Sequence, residues 1–289
     1  MRSAVAGTSF PLRLPSADPA RATAATVISQ LDDYALPRLT DLDAPMLVVV
    51  GGSTGAGKST LVNSLVQAPV SATGVLRPTT RAPVLVCHPA DARWFRGDRL
   101  LGGLPRTTTP AASTDRDADP HRLTIMAAPA LVPGLAFLDA PDIESVVTAN
   151  RQLSDQLFAA ADLWLFLTTP ARYADAVPWR LLHTARERGT VVALVLSRVP
   201  APATAELVDL FAELLTANNL ADLPLFVLPE TRVDRQGQLP EAATAPLRRW
   251  FDGLAGDDRT RAGVIRFTLD GALAAVPARL AELATAADE

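Results

Sequence analysis

The fold is determined by residues 46–59, which read MLVVVGGSTGAGKS. The five consecutive apolar residues 46–50 are typical of a buried strand, and residues 58–66 are predicted to form a helix. Between them, residues 52–59 match the phosphate-binding pattern G-x-x-x-x-G-K-[S/T] in full. A strand, a glycine-rich loop and a helix in this order predict a phosphate-binding loop inside an α/β domain.

Lys58 is the only lysine of the chain, and every other residue with a permanently basic side chain is arginine. A compact ammonium can lie between β- and γ-phosphates, whereas a planar guanidinium does not fit there. The glycines let backbone N–H groups point at the phosphates, and the helix that follows adds its N-terminal dipole. The loop therefore predicts a nucleoside triphosphate site. The residues expected to line it are Gly52, Ser53, Thr54, Gly55, Ala56, Gly57, Lys58, Ser59 and Thr60.

The composition excludes several classes of protein. A chain of 289 residues with 48% hydrophobic residues can bury one α/β core and a smaller helical part. The net charge of −4, with arginines scattered among carboxylates, argues against a nucleic-acid partner. The single cysteine, Cys87, lies in an apolar run and is predicted to be a packed thiol, so disulfides and cysteine-based metal sites are excluded.

The apolar runs bear on the location of the protein. No uncharged apolar run reaches the ~18 residues that a membrane span needs. Proline and arginine residues near the N-terminus interrupt the apolar segment that a secretory signal requires. We expect a cytoplasmic protein, and peripheral membrane association stays open.

Strands alternate with helices throughout residues 46–235, which we predict to be the nucleotide domain. This alternation predicts a mainly parallel, doubly wound sheet with helices on both faces. Residues 97–121, rich in Gly, Pro, Thr and Asp, are predicted to form a long surface loop. Strands are predicted at 46–50, 82–87, 122–127, 135–139, 163–167, 191–197 and 225–228, with helices at 58–66, 148–161, 177–188 and 203–217.

Both ends of the chain are predicted to differ from this domain. Residues 1–19 are expected to be mobile, and residues 20–45 to contain a helix that Pro37 ends or kinks. Residues 240–289 are predicted to be helical, with a kink at Pro277. Two arrangements stay open: the terminal helices pack together as a short neck or bundle base, or each covers a face of the sheet.

Three oxygen ligands for Mg²⁺ are predicted around the loop. Ser59 begins the Mg²⁺ shell, and a threonine of residues 77–81, Thr80, can complete it while closing a loop over the γ-phosphate. The alternative is that these residues form an ordinary threonine-rich turn. Asp139 ends an apolar strand, where a carboxylate can hold Mg²⁺ through water. Lys58, Thr80 and Asp139 are therefore the expected catalytic residues.

In their order and spacing these motifs resemble those of the dynamin-like and Era-like GTPases, and in particular the dynamin-family GTP-binding proteins of actinobacteria, which often occur as paired large proteins. The resemblance implies the P-loop GTPase fold, binding of GTP and GDP, Mg²⁺ and slow GTP hydrolysis. It also implies a first switch at Thr79 and Thr80 and a second switch after Asp139. The segments that carry it are residues 52–59, 74–80, 139–142 and 197–200.

The chain departs from that family at three points. Asp142 stands where the second switch has a glycine, although its backbone N–H can still donate to the γ-phosphate. Ser197 and Arg198 can fill the first two positions of the base-reading motif, but Pro200 replaces the aspartate that selects guanine. Gly55 replaces a side chain that helps to place the γ-phosphate or a monovalent cation. Selection of guanine is thus unexplained, and turnover is expected to be slow or to depend on a partner.

Three other segments have two interpretations each. Residues 231–234, Thr-Arg-Val-Asp, are either a chance match to the base-reading motif or a compensating base contact. Residues 94–95 and 248–251 contain aromatic side chains that either pack at the edge of the core or touch a membrane or partner.

Three functions follow from these observations. The first is a GTPase switch that hydrolyses GTP–Mg²⁺ slowly and is activated by dimerisation, as a homodimer or with a paired GTPase. The second is a pseudo-GTPase that binds nucleotide or a partner without meaningful turnover. The third is an ATP-dependent kinase of small molecules, against which stands the lack of a visible acceptor site.

Overall fold

The architecture is that of a computed structural model, which describes residues 2–8, 10, 16–71, 82–109, 119, 121–141 and 148–288. Its centre is a sheet in which eight strands are described. The strands are β1 (Met46–Gly52), β2 (Val84–Cys87), β3 (Arg106–Thr107), β4 (Leu123–Ala127), β5 (Leu135–Asp139), β6 (Leu163–Thr168), β7 (Val191–Val199) and β8 (Leu225–Pro229).

The strand order is β3-β4-β2-β5-β1-β6-β7-β8. All neighbouring strands run parallel except β2 and β5, which are antiparallel. The predicted α/β fold with a mainly parallel sheet is confirmed. Because β1 lies between β5 and β6, the loop that follows β1 is flanked by the ends of both neighbours.

Helices cover both faces of the sheet and continue at both ends of the chain. A π-helical turn, Leu31–Ala35, joins α2 to α3, and short 3-10 turns occupy Pro89–Asp91 and Ala201–Ala203. The helices are α1 (Arg2–Gly7), α2 (Ala17–Gln30), α3 (Leu36–Thr40), α4 (Lys58–Val66), α5 (Ala92–Arg96), α6 (Thr148–Ala159), α7 (Ala176–Glu187), α8 (Thr204–Ala217), α9 (Glu241–Gly256), α10 (Asp258–Ala274) and α11 (Val276–Asp288).

The surface loop predicted over residues 97–121 is wrong in its first part. Leu101 and Leu104 are buried, and β3 follows them as a short edge strand on β4. The Arg106 guanidinium ties this segment down by donating to the carbonyl oxygen of Leu104 at 2.7 Å and that of Phe95 at 3.0 Å. Gly, Pro and polar residues outnumber the apolar residues of this segment. The composition is therefore typical of a loop, although the segment is packed against the core.

The terminal helices pack against each other. A separate apolar cluster joins residues of α2 and the π turn, among them Val27 and Leu31, to Leu269, Val276 and Leu283 of α10 and α11. Of the two arrangements that the sequence left open, α2, α10 and α11 take the packed one, whereas α9 covers the sheet through Leu247 and Phe251.

Pro37 and Pro277, the two prolines expected to end or kink a helix, affect the helical turns next to them. Pro37 does not end the N-terminal helix, since a π turn precedes it and the helix continues to Thr40. A widened turn absorbs the missing N–H and the bulk of the proline ring. Pro277 lies in the first turn of α11, so the expected kink is a break between two helices after Ala274.

A buried set of polar residues, the Asp162 cluster (Tyr34, Arg38, Asp162 and Thr268), connects the terminal helices to the N-terminal ends of β1 and β6. The Asp162 carboxylate pairs with the Arg38 guanidinium and accepts from the Tyr34 hydroxyl at 3.1 Å. It also accepts from the backbone N–H of Leu47 at 2.7 Å, and the Thr268 hydroxyl donates to the Asp162 carbonyl oxygen at 2.8 Å. The N-terminal helix, β1, β6 and α10 therefore meet at one residue, Asp162.

Candidate functional site

The phosphate-binding loop needs glycine at specific points of its backbone. Gly52 has a φ of +132°, and a Cβ atom there would lie 1.9 Å from the carbonyl oxygen of Leu167 in β6. Gly55 and Gly57 also lie in the left-handed region, with φ values of 77° and 92°. L-residues with side chains rarely adopt these angles. The glycine pattern therefore reflects both a close approach to β6 and the turn that starts α4.

The Lys58 side chain lies back along its own loop. Its ammonium donates to the carbonyl oxygen of Gly52 at 3.0 Å and to that of Ser53 at 3.2 Å. The residue is only 6% exposed. The backbone N–H of Ser53 in turn donates to the Leu167 carbonyl oxygen at 3.0 Å, which anchors the loop on β6. The ammonium is thus held at the start of α4, where the helix dipole also favours an anion.

Ser59 and Asp139 lie on two neighbouring elements, α4 and β5, at the same edge of the sheet as the loop. Ser59 lies in the first turn of α4 and is 8% exposed, and Asp139 ends β5 and is fully buried. Asp139 pairs in register with Val50 of β1, two residues before Gly52. A hydroxyl and a carboxylate oxygen are the donors that Mg²⁺ prefers, so these two residues fit the predicted metal site. Thr80, the third predicted ligand, lies outside the described residues.

Ser197 supports the loop from the far side of β6. Its hydroxyl lies 2.7 Å from the carbonyl oxygen of Ala56 and 3.1 Å from that of Thr168, so its proton is shared between them. Thr168 also reaches the loop, because its hydroxyl oxygen lies 3.5 Å from that of Ser53. β7 therefore contacts the loop at Ala56, and β6 contacts it at Ser53. Sequence reasoning placed Ser197 near the base and missed this contact, since no local pattern links residues 56 and 197.

Arg198 and Pro200 mark an irregular end of β7. Arg198 is exposed and has a φ of +56°, and the pairing with β8 shifts register between Leu196 and Val199. A left-handed conformation costs a residue with a side chain roughly 1–2 kcal/mol. Pro200 then starts the 3-10 turn, and it has no N–H or polar side chain to offer a base.

Four residues of the predicted switches are not described by the structure. Thr79, Thr80 and Asp142 lie outside the described residues, as does Arg77. Thr54 and Thr60, by contrast, are described and half-buried beside the loop. The part of the predicted site that the structure brings together is therefore the loop with Ser59, Asp139 and Ser197, whereas Arg198 is exposed after Ser197.

The second match to a base-reading motif, residues 231–234, lies elsewhere. The Asp234 carboxylate accepts from the backbone N–H groups of Gln236 at 2.8 Å and Gln238 at 2.9 Å. It lines a cleft with Ser64, in the C-terminal half of α4, and with Gln67, which follows that helix. A chance match explains these residues better than a base contact does.

The aromatic segments and the cysteine are mainly parts of the core. Phe95 and Phe251 are buried, and the Phe251 ring packs edge-on against Phe137 with centroids 4.9 Å apart. Trp94 is half-buried beneath the Arg93 guanidinium, which lies 5.2 Å from the ring centroid. Burial raises the pKa of the Cys87 thiol to about 12, as expected for a packed thiol. Among the described helices, none is both long and apolar enough to cross a membrane.

No family model and no curated protein matches this chain. Among solved structures, the chain is similar to a member of an oligomerised bacterial dynamin pair described as sensing and tethering membranes. That match has a TM-score of 0.54 and 10% identity, over 92% of this chain and 46% of that chain.

Two further solved structures match with TM-scores below 0.5. Toc33 from Arabidopsis thaliana, in complex with Mg²⁺ and GMPPNP, gives 0.42 at 16% identity, over 82% of this chain and 94% of that chain. Era from Aquifex aeolicus, bound to GDP·AlF₄⁻, gives 0.40 at 18% identity, over 63% of this chain and 50% of that chain. The chain thus spans about half the length of the dynamin and Era chains. At these identities the dynamin match shows the fold alone.

Proposed function

We propose that this protein is a GTP-binding switch that binds GTP–Mg²⁺, hydrolyses it slowly and is activated by a second GTPase chain. The observation that carries the proposal is the position of the lone lysine. Lys58 lies in a glycine-rich loop at the C-terminal end of β1, where Asp139 ends the adjacent strand. A compact cation, a helix N-terminus and a strand-end carboxylate at one edge are what a triphosphate and its metal require.

Each residue then has a defined task. The backbone N–H groups of the loop and the Lys58 ammonium meet the phosphate oxygens, and Ser59 and Asp139 hold Mg²⁺. The metal, when bound, neutralises charge on the phosphates. Ser197 keeps the loop in place through Ala56. Gly55 has no side chain with which to place the γ-phosphate, and for that reason we expect turnover to be slow in the isolated chain.

The preference for guanine is proposed from the order of the motifs. Pro200 supplies no bidentate pair to the base, so the preference should be weaker than that of a site with an aspartate there. We expect GTP to bind at least about tenfold more tightly than ATP, roughly 1.4 kcal/mol. Calorimetric titrations with both nucleotides in Mg²⁺ measure this directly. Equal affinities would refute the GTPase assignment and favour the ATP-dependent kinase.

A pseudo-GTPase is the second candidate, and the end of β7 favours it. The Ser197 hydroxyl is engaged with two carbonyl oxygens, and Pro200 follows at the position of the base contact. Turnover measured against protein concentration separates the two functions. A specific activity (turnover per chain) that rises with protein concentration supports the switch. Tight binding without turnover at any concentration would establish the pseudo-GTPase instead.

The proposed ligands are GTP and GDP, and the proposed partner is a second copy of this chain or a paired GTPase. We propose a cytoplasmic location, with peripheral membrane contact as a minor alternative. The net charge of −4 gives no support to a nucleic-acid partner.

A further inference from the structure

A carboxylate side chain follows β8 next to the point where Pro200 replaces the acid of the base-reading motif. Glu230 is the residue after β8, and its backbone N–H donates to the carbonyl oxygen of Val199 at 2.9 Å. Val199 pairs in register with Pro229, so the next residues along the two chains, Pro200 and Glu230, are neighbours as well. A side chain with two acceptor oxygens is therefore one strand away from the proline that offers none.

An extra residue in β7 produces this register. Between Leu196 and Val199, β7 advances three residues while β8 advances two. Arg198, with its φ of +56°, lies within this irregular stretch. As a result Glu230, rather than the residue after it, comes level with Pro200. Bulges of this kind often occur next to binding sites, where they change the direction of a side chain.

The alternation of side chains along the strands places Glu230 on the face of the sheet that α4 covers. Phe226 and Leu228 of β8 belong to the apolar cluster that also contains the buried residues of α4. Successive side chains of a strand point to opposite faces, so a residue two after Leu228 falls on that same face. Ser197 lies on it too, two residues after Val195 of the same cluster, and its hydroxyl contacts the phosphate-binding loop.

The Glu230 carboxylate is accessible to a ligand. The residue is exposed, and within the described part of the chain no side chain or N–H group pairs with its carboxylate. Asp234, the next acid along the chain, already accepts from the backbone N–H groups of Gln236 and Gln238. Of these two acids, only Glu230 can therefore bind a ligand without first giving up a hydrogen bond.

The position of the phosphates determines which part of a nucleotide reaches Glu230. The phosphate-binding loop follows β1, and β6 and β7 lie between β1 and β8. Neighbouring strands are about 4.8 Å apart, so the end of β8 is roughly 14 Å from the end of β1. Ligands of such sheets lie across the carboxyl ends of the strands. A nucleotide that runs from Lys58 past β6 places its base at the ends of β7 and β8.

We propose that Glu230 selects guanine, with its two carboxylate oxygens accepting hydrogen bonds from N1–H and the N2 amino group of the base. Guanine presents two adjacent donors there, and a carboxylate accepts such a pair strongly. Adenine presents an acceptor at N1, which repels a carboxylate. This assignment rests on the proposed function and names the residue that gives the site its preference for guanine. Because the glutamate side chain is exposed and loses rotamer freedom on binding, the preference is modest.

The first experiment measures the affinities of GTP and ATP by calorimetry in Mg²⁺, for the wild type and for Glu230→Gln. The amide puts an N–H₂ donor against the donors of guanine, so GTP binding should weaken about tenfold, whereas ATP binding should not weaken. Glu213→Gln is the matched control, because Glu213 is exposed in the second half of α8, which leads away from this edge of the sheet. A ratio of GTP to ATP affinity that is unchanged in Glu230→Gln would overturn the proposal.

A second experiment uses a base that lacks one of the two donors. Inosine triphosphate keeps N1–H but has no N2 amino group, so the wild type should bind it about fivefold or more weakly than GTP. This difference should largely vanish in Glu230→Gln and persist in Glu213→Gln. Equal binding of the two nucleotides by the wild type would contradict a contact to both donors.

Xanthosine triphosphate provides a test in which the variant gains affinity. Its base carries a carbonyl oxygen in place of the N2 amino group, which repels a carboxylate but can accept from an amide N–H. Glu230→Gln should therefore bind it about fivefold or more tightly than the wild type does. Damage to the fold cannot produce such a gain, and its absence would overturn the paired contact.

The same titrations show which of the two proposals fails. A wild type that binds GTP and ATP equally would overturn the proposed function. A wild type that prefers GTP, and keeps the whole preference in Glu230→Gln, would leave the proposed function standing and overturn only the role of Glu230.

Discussion

Two buried cations lie at opposite ends of β1, and the comparison between them separates ligand binding from fold stability. Lys58, after the strand, is 6% exposed and donates to carbonyl oxygens five and six residues away in its own loop. Arg38, before the strand, is 4% exposed and pairs with a carboxylate 124 residues away. Lys58 and Arg38 are thus buried to a similar extent. What differs is that Arg38 joins distant parts of the chain, whereas the Lys58 ammonium donates to carbonyl oxygens of its own loop.

The largest effect expected from this comparison is on nucleotide binding. Lys58→Ala should weaken GTP binding at least about a thousandfold, roughly 4 kcal/mol, because a charge-assisted contact to phosphate is lost. Lys58→Arg should fail nearly as badly, since a planar fork does not fit the loop. Calorimetry measures both affinities, and thermal unfolding should show little change. Normal binding by Lys58→Arg would mean that the lone lysine is an accident of composition.

At the other end of β1 the effect should fall on stability. Arg38→Met leaves the Asp162 carboxylate buried without its cation, which should lower the free energy of unfolding by about 3 kcal/mol or more. Adding Asp162→Asn should recover part of the loss, because the buried charge is then removed. Urea unfolding of both variants measures this.

The matched control for Arg38 is an exposed arginine in an ion pair. Arg186 pairs with Asp222 at 3.0 Å, with side chains 49% and 68% exposed. Arg186→Met should cost less than about 1 kcal/mol, since water screens exposed pairs. Equal losses for Arg38→Met and Arg186→Met would remove the distinction between the two kinds of contact.

Two glycines of the phosphate-binding loop differ in the same way, because only one of them contacts a distant part of the chain. Gly52→Ala would drive a Cβ to 1.9 Å from a backbone oxygen of β6, whereas a Cβ at Gly57 meets nothing within 4 Å. Both positions have positive φ, so both variants are strained. We expect Gly52→Ala to be less stable than Gly57→Ala by about 2 kcal/mol in urea unfolding, because only it adds a backbone clash. Similar losses would show that φ strain alone determines the glycine pattern.

The sequence predicted the elements of this fold much better than the contacts between them. Apolar runs and glycines mark β1, its loop and α4 locally, and strand alternation with helices predicted the parallel sheet. The antiparallel placement of β2 beside β5 has no local signal. Nor does the Asp162 cluster, because Arg38, Asp162 and Thr268 are far apart in sequence and each is ordinary in its own segment.

The residues of the candidate site likewise divide into those that local motifs predicted and those that depend on contacts between distant segments. Lys58, Ser59 and Asp139 follow from motifs in which spacing along the chain fixes position. The contact of Ser197 with Ala56 arises only when β7 is placed beside β6, so its role as a brace could not be predicted. The sequence predicted that the strand β7 ends at residue 197, whereas it continues to Val199 through Arg198, whose left-handed φ appears in no sequence pattern.

The smallest effect expected concerns two adjacent aspartates of the π turn, whose pKa values move in opposite directions. Asp33 is 7% exposed, and burial raises its pKa above the usual carboxyl value, although the Ser29 hydroxyl and Gln156 amide donate to it. The pKa of Asp32 is lowered, chiefly by the hydrogen bond from the Arg2 guanidinium.

The signs of the two pH dependences follow from these directions. The folded state binds a proton at Asp33 more tightly than the unfolded state does, so its contribution is present below the unfolded pKa and is lost as pH rises through the folded pKa. Asp32 contributes above its unfolded pKa, and that contribution is lost as pH falls. Asp33→Asn should therefore leave a protein at least as stable as the wild type at neutral pH, with the difference shrinking toward about pH 4. Asp32→Asn should be less stable at neutral pH and approach the wild type in acid. Urea unfolding at a series of pH values measures both, and the same sign for both variants would show that burial at the π turn does not control the titration of Asp33.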